Sequence, residues 1–222
     1  MINEYPINHK PINVSGPWTT QDETWYGGVS GTLKFYPETY TATRNWFVAL
    51  TPSAPPDPDD PDIPEGAIGI STIEQLQLIG NDPAYPLDGY YVLTQDIDAS
   101  ATVTWNDGAG FAPIGSYATP FIGTLDGQGY GVTDLYINRP DENYAGLFGY
   151  VLAGGTVTNC YATGAVTGYY YAGGLVGVNY GTVTNCYATG AVTGEANVGG
   201  LVGYNGGGTV TNCYATGAVT GN

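Results

Sequence analysis

Basic residues are almost missing from this chain. Only four of 222 residues are Lys or Arg, against 20 Asp or Glu, and three of the four (Lys10, Lys34, Arg44) fall in the first 50 residues, leaving Arg139. The net charge is −1 over residues 1–50 and −15 over the rest. Such a surface repels phosphate backbones and anionic lipid, which excludes nucleic acid as a partner and speaks against membrane insertion. Long apolar runs are missing too. No stretch approaches the roughly 18 apolar residues of a spanning helix, and "MINEYPINHK" has neither the basic nor the apolar part of a Sec-type leader. The chain therefore stays inside the cell, leaves by another route, or has lost a leader. Cysteine is scarce: three thiols cannot all pair within one chain, which excludes a disulfide framework.

What is present in excess is glycine (35) and tyrosine (20), while charged residues make up only 11%. This is the composition of packed turns and strands. The sequence "GTVTNCYATGAVTG" occupies residues 155–168 and returns unchanged at 181–194 and 208–221. Identical copies in succession need nearly identical surroundings, which a solenoid supplies. From Cys160 to Cys186 is 26 residues and from Cys186 to Cys213 is 27, with the extra residue in Gly206–Gly208. A coil of 26 residues at about 3.3 Å each traces about 85 Å, enough for three short faces, with coils stacked about 4.8 Å apart.

The expected fold is all-β, a parallel β-helix over residues 67–222. A small β-rich anchoring module at 1–50 and a spacer at 51–66, "TPSAPPDPDDPDIPEG", precede it. The spacer's Asp cluster has the composition of a calcium site, but six intervening prolines hinder wrapping and favour a semi-rigid, self-repelling linker. The one helical stretch is "STIEQLQLI", where Ser71 and Glu74 have capping-box spacing and Ile73, Leu76 and Ile79 share a face. It is expected to cover the first coil. Within a repeat, Val157, Cys160, Ala162, Val166 and Leu175 are expected to point inward, and Thr156, Thr158, Tyr161, Thr163 and Thr167 outward. A bend at Asn159-Cys160 leaves open which of Cys160 and Tyr161 faces the core.

The unit "AGGLVGVNYGTVTNCYATGAVTG" resembles the GLUG repeat of bacterial surface adhesins and of some secreted peptidases, where it lies beside the catalytic domain. The resemblance is strong over 144–222, with "AGLFGY" at 145–150 opening the first copy, and extends to 67–143 through "FIGTLDGQGYGVTDLYI". It implies a right-handed parallel β-helix and a surface or binding role, with no catalytic residues in the motif. Separately, "INEYPINHKPIN" is similar to the opening of small tailed-phage virion proteins, which are assembled in the host cytosol without a leader.

Candidate site residues follow from the repeat. Tyr161, Tyr187 and Tyr214 would stack as flat amphipathic rings suited to sugar faces or another subunit. Thr156, Thr158, Thr182, Thr184, Thr209 and Thr211 form a Thr-x-Thr array that resembles ice-binding solenoids. Asn159, Asn185 and Asn212 are read as an amide ladder rather than as sugar or metal ligands, and the three cysteines as core packing rather than a redox or metal site. A polysaccharide lyase or hydrolase would need clustered carboxylates. The candidates Asp96, Asp98, Asp107 and Asp126 fit strand ends and turns, and over 155–222 Glu195 is the only acid or base besides Tyr and Cys.

No cofactor, metal or catalytic residue is expected. The chain reads as a noncatalytic structural or adhesion protein, foremost a phage fibre, spike or decoration component, with a host-encoded bacterial cell-surface adhesin as alternative and an ice-binding protein as third reading. Its place would be the virion surface or the cell surface and exterior. Expected partners are other virion or surface subunits through residues 1–50, a cell-surface glycan or protein receptor, and further copies of the chain. "GAVTGN" brings no capping element, so either more coils or another subunit is expected to cover that edge.

Overall fold

The computed structural model describes residues 63–221. The anchoring module at 1–50, the virion-like residues 2–13 and most of the spacer at 51–66 lie outside the described residues.

Residues from 68 onward wind into a parallel β-solenoid of about six coils. A six-stranded sheet stacks Ile68–Ile70, Tyr90–Leu93, Thr124–Asp126, Thr156–Thr158, Thr182–Thr184 and Thr209–Thr211, each pair parallel. One column of equivalent positions runs through it: Ile68, Tyr91, Leu125, Val157, Val183, Val210. A second sheet stacks Tyr161–Thr167 on Gly131–Asn138, with Tyr187–Ala188 and Tyr214–Ala215 following. A third joins Phe148–Val151, Val176–Asn179 and Val202–Asn205. The three copies are in register on every face, as the period requires.

Coil length changes along the axis. Successive positions in the column lie 23, 34, 32, 26 and 27 residues apart. The core composition follows this. The longer early coils enclose more space and fill it with Tyr91, Phe111, Phe121 and Phe148, the last two with ring centroids 4.9 Å apart. The repeat coils close on Val157, Cys160, Ala162, Val166 and Leu175, all buried as expected. Part of the 34-residue coil is taken up by two short 3-10 turns, Ser100–Thr104 and Asn106–Gly108, which the sequence did not announce. They pack on the neighbouring strand: Tyr136 donates its N–H to Thr102 Oγ1 (3.1 Å) and Phe111 donates to the Tyr136 carbonyl (2.9 Å).

The helix is Ile73–Leu78, one register step from expectation. Thr72 is the N-cap, accepting from Gln75 N, and Gln75 Oε1 accepts from the N–H groups of both Thr72 and Ser71. The capping box is thus Thr72 with Gln75, not Ser71 with Glu74. Glu74 is exposed whereas Gln75 is 3% exposed, because Gln75 is neutral and can be buried once its carbonyl oxygen is fully bonded. Ile73, Leu76 and Ile79 do share the buried face. The helix lies within the first coil, between its two strands, rather than ahead of it.

The bend at Asn159-Cys160 resolves in favour of an inward cysteine. Asn159, Asn185 and Asn212 take left-handed φ values of 51°, 55° and 53°. Asparagine tolerates that conformation better than other side-chain-bearing residues. The turn shifts the alternation by one, so Cys160 and Cys186 are buried while Tyr161 and Tyr187 remain half-exposed outside. The Thr-Gly-Ala corner explains another part of the identity between copies. A Cβ on Gly190 would overlap the Gly164 carbonyl, and one on Gly217 the Gly190 carbonyl, so backbone rests on backbone there.

Candidate functional site

Three ladders run up the repeat wall. In the outer ladder, Tyr161 and Tyr187 stack with ring centroids 4.8 Å apart and planes 8° from parallel, and Tyr187 and Tyr214 at 4.9 Å and 5°. The coil before them has Gly131 at this position, and the Tyr161 ring lies over the space a Cβ would take. The hydroxyl of Tyr161 donates to Asp96 Oδ1 at 2.7 Å, and the same oxygen accepts the Gly131 N–H at 3.1 Å. That hydrogen bond, followed by burial, pushes the Tyr161 phenol up to about 12.

The second ladder is amide to amide. Asn212 Nδ2 donates to Asn185 Oδ1 (3.2 Å), Asn185 Nδ2 to Asn159 Oδ1 (2.9 Å), and Asn159 Nδ2 to Asp126 Oδ1 (3.0 Å). Every amide donates in one direction, and a carboxylate, which only accepts, ends the series. The third ladder is inside. The sulfurs of Cys160 and Cys186 are 3.7 Å apart, and all three thiols are free. The bond with Cys186 and then burial push the Cys160 thiol well up.

Beside these, two ranks of threonine stand in register, Thr156, Thr182, Thr209 and Thr158, Thr184, Thr211. The first rank continues into Thr124, and Asp126 ends the second.

The carboxylates considered for catalysis do not converge. Asp96 holds Tyr161, Asp98 caps the Ser100 N–H at 2.8 Å, and Asp126 holds Gln128 N and the amide ladder. Asp107 sits in a 3-10 turn at φ 56°. Among the described residues, no group of three His, Cys, Asp or Glu is placed to hold a metal ion, and no helix is long and apolar enough to cross a membrane.

Sequence reasoning missed a second aromatic surface, made by Tyr117, Tyr144, Tyr150, Tyr171, Tyr180 and Tyr204. Tyr144 stacks on Tyr171 at 5.4 Å and 4°, and Tyr150 on Tyr180 at 5.7 Å and 24°. Tyr117 meets Tyr144 at 6.4 Å and Tyr150 edge-on at 5.8 Å. Tyr204 meets Tyr171 edge-on at 5.7 Å. A signal was available: tyrosines flank the Gly-Leu segments six residues apart, Tyr144 with Tyr150, while Tyr171 and Tyr204 each supply one flank of a later copy.

This geometry defines a parallel β-solenoid whose repeat wall, over residues 143–222, is rich in tyrosine, threonine and asparagine and nearly free of charge. Its repeats are GLUG motifs: the sequence profile described as "Glug: The GLUG motif" matches residues 168–193 and 194–220. Two curated proteins are similar. Halomucin of Haloquadratum walsbyi is 42% identical over 113 residues, which is 50% of this chain and 1% of halomucin. A "Putative Gly-rich membrane protein" of Evansella cellulosilytica is 41% identical over 114 residues, 49% of this chain and 13% of that protein. The chain thus spans a small part of either relative. No solved structure matches it significantly.

Proposed function

We propose that the chain is a noncatalytic structural and adhesion protein of the cell surface or extracellular space, in which the solenoid is a stiff projecting element and its wall a contact face. The observation that carries this reading is the wall itself. Over residues 155–222 it offers tyrosine, threonine and asparagine, with Glu195 the only acid or base besides Tyr and Cys, so the repeats bring no pair of carboxylates together for hydrolysis of a glycosidic bond. The GLUG repeats and a relative named as a membrane protein support a surface location. Residues 1–50 would join the rod to its support.

The finer reading as a phage fibre, spike or decoration protein rests on residues 2–13, and the similar proteins give more support to a host-encoded adhesin. Immunogold labelling of intact producer cells, with an antibody against the repeats, separates the two. Label on the cell exterior is the expected result. Label confined to particles released by lysis would favour the virion, and label confined to the cell interior would overturn both readings. Ice binding has one observation in its favour, the in-register threonine ranks, and thermal hysteresis in a cooling assay tests it directly.

A further inference from the structure

The six-tyrosine surface holds more aromatic area than stacking of the coils requires. Tyr144 and Tyr171 take left-handed φ values of 68° and 62°, and the equivalent position in the next coil is Asn197 at 55°. Asparagine enters that region readily and a bulky aromatic residue seldom does. Two coils nevertheless keep tyrosine where the fold is best served by asparagine, so the rings are held there against the backbone's preference.

The rings also differ in presentation from those of the Tyr161 ladder. In that ladder the planes lie 5° to 8° from parallel, so neighbours cover the faces and only edges meet solvent. In the cluster, edge-on pairs interrupt the stacks: Tyr144 with Tyr150 at 73°, Tyr117 with Tyr150 at 77° and Tyr171 with Tyr204 at 67°. Two short stacks, Tyr117–Tyr144–Tyr171 and Tyr150–Tyr180, therefore meet edge to face over a buried Tyr150, and the exposed rings are Tyr117 at 71%, Tyr204 at 41% and Tyr180 at 38%. The hydroxyls of Tyr117, Tyr144, Tyr171 and Tyr204 have no hydrogen-bond partner among the described residues.

We propose that Tyr117, Tyr144, Tyr171, Tyr180 and Tyr204, supported by the buried Tyr150, form an open platform for a neutral polysaccharide chain lying along the solenoid axis. A pyranose has an apolar C–H face and a rim of hydroxyls, which match a tyrosine ring face and its phenolic edge. Charge selects against other ligands. Residues 143–222 hold no Lys or Arg and a single carboxylate, Glu195, so this surface offers a polyanion no counter-charge and a cation little to pair with. The rings recur from coil to coil, so a ligand with repeating units can engage them in turn, whereas a small molecule would call for an enclosed pocket. The inference deepens the adhesion reading by naming the ligand class, but its test does not depend on where the protein resides.

The experiment is affinity electrophoresis of the full chain in native gels containing dextran, laminarin, galactomannan or xylan, with alginate as the anionic control. Retardation by at least one neutral polymer and none by alginate is expected. The double variant Tyr144→Asn/Tyr171→Asn installs what the next coil already carries, so its folding transition should be kept while binding falls about tenfold or more. Tyr130→Phe, at an exposed tyrosine outside both aromatic surfaces, should bind as the parent does. Migration unaffected by every neutral polymer overturns the proposal, as does retention of full binding by the double variant. Concentration-dependent sedimentation abolished by that variant, without glycan binding, would assign the surface to a subunit contact and overturn it equally.

Discussion

Asp96 and Tyr161 form the most specific side-chain pair on the wall, and the pair has a titration signature. The phenol is raised from the ordinary value of about 10 to about 12 by its bond to Asp96 and then by burial. The folded state therefore favours the neutral phenol. The pair's stabilisation is complete below about pH 10 and is lost as pH rises through about 12. In a spectrophotometric titration, Asp96→Asn should bring one late phenol to an earlier midpoint, while Tyr91, which burial raises, stays late. A curve unchanged by the substitution would contradict the pair. The thiols make a second residue-scale case. Native protein should react with a thiol reagent first at half-buried Cys213, and slowly because burial raises that thiol, whereas denatured, unreduced protein should yield three equivalents. Recovery of a single equivalent after denaturation would mean that two neighbouring thiols of the ladder had joined.

At the scale of elements, the first helix depends on one side chain that the sequence did not single out. Gln75 Oε1 accepts from Ser71 N, Ser71 Oγ and Thr72 N, so Gln75→Ala leaves several donors unmet and should cost about 1–2 kcal/mol, whereas Glu74→Ala should be nearly neutral. Denaturant unfolding compares the two. Equal effects would restore the Ser71–Glu74 box. The amide ladder gives a parallel test in the repeats. Asn185→Gly keeps the left-handed turn and loses the amide bonds, about 1 kcal/mol, while Asn185→Ala adds the strain of an L-residue and should cost about 1–2 kcal/mol more. What was legible in the sequence follows the same division. Identical copies dictated the register of Val157, Val183 and Val210, since equal residues seek equal surroundings. The Thr72–Gln75 box was hidden because Ser71 and Glu74 satisfy the same spacing one residue earlier, and only burial chooses between them. The six-tyrosine surface was hidden because its members occupy different positions in the unit, so a search along one position finds Tyr144 and Tyr171 and then Asn197. The 3-10 turns at 100–108 left no periodic trace at all.

For the molecule as a whole, the core is unevenly distributed along the axis. Tyr91, Phe121 and Phe148 are fully buried in the early coils, while Val210 and Val219 of the last described coil are 40% and 48% exposed. Stability in a stacked array is set coil by coil, by each coil and its neighbours. Among the described residues, amide hydrogen exchange should therefore be slowest around Tyr91–Leu93 and Thr124–Asp126, faster in the repeats, and fastest at Thr209–Thr220. Uniform protection would indicate a single cooperative unit.

The in-register stacking of identical units also makes length a free variable. Removing residues 181–207 would set Gly208 behind Tyr180, so that Asn212 meets the amide of Asn159 and Tyr214 meets the ring of Tyr161, as Asn185 and Tyr187 do now. The rod would shorten by about 4.8 Å with no partner lost on any ladder. Unequal crossing-over between copies so alike in sequence can perform the same excision or its reverse, and the reach of such a rod can then be adjusted by recombination alone, without waiting for a single point mutation.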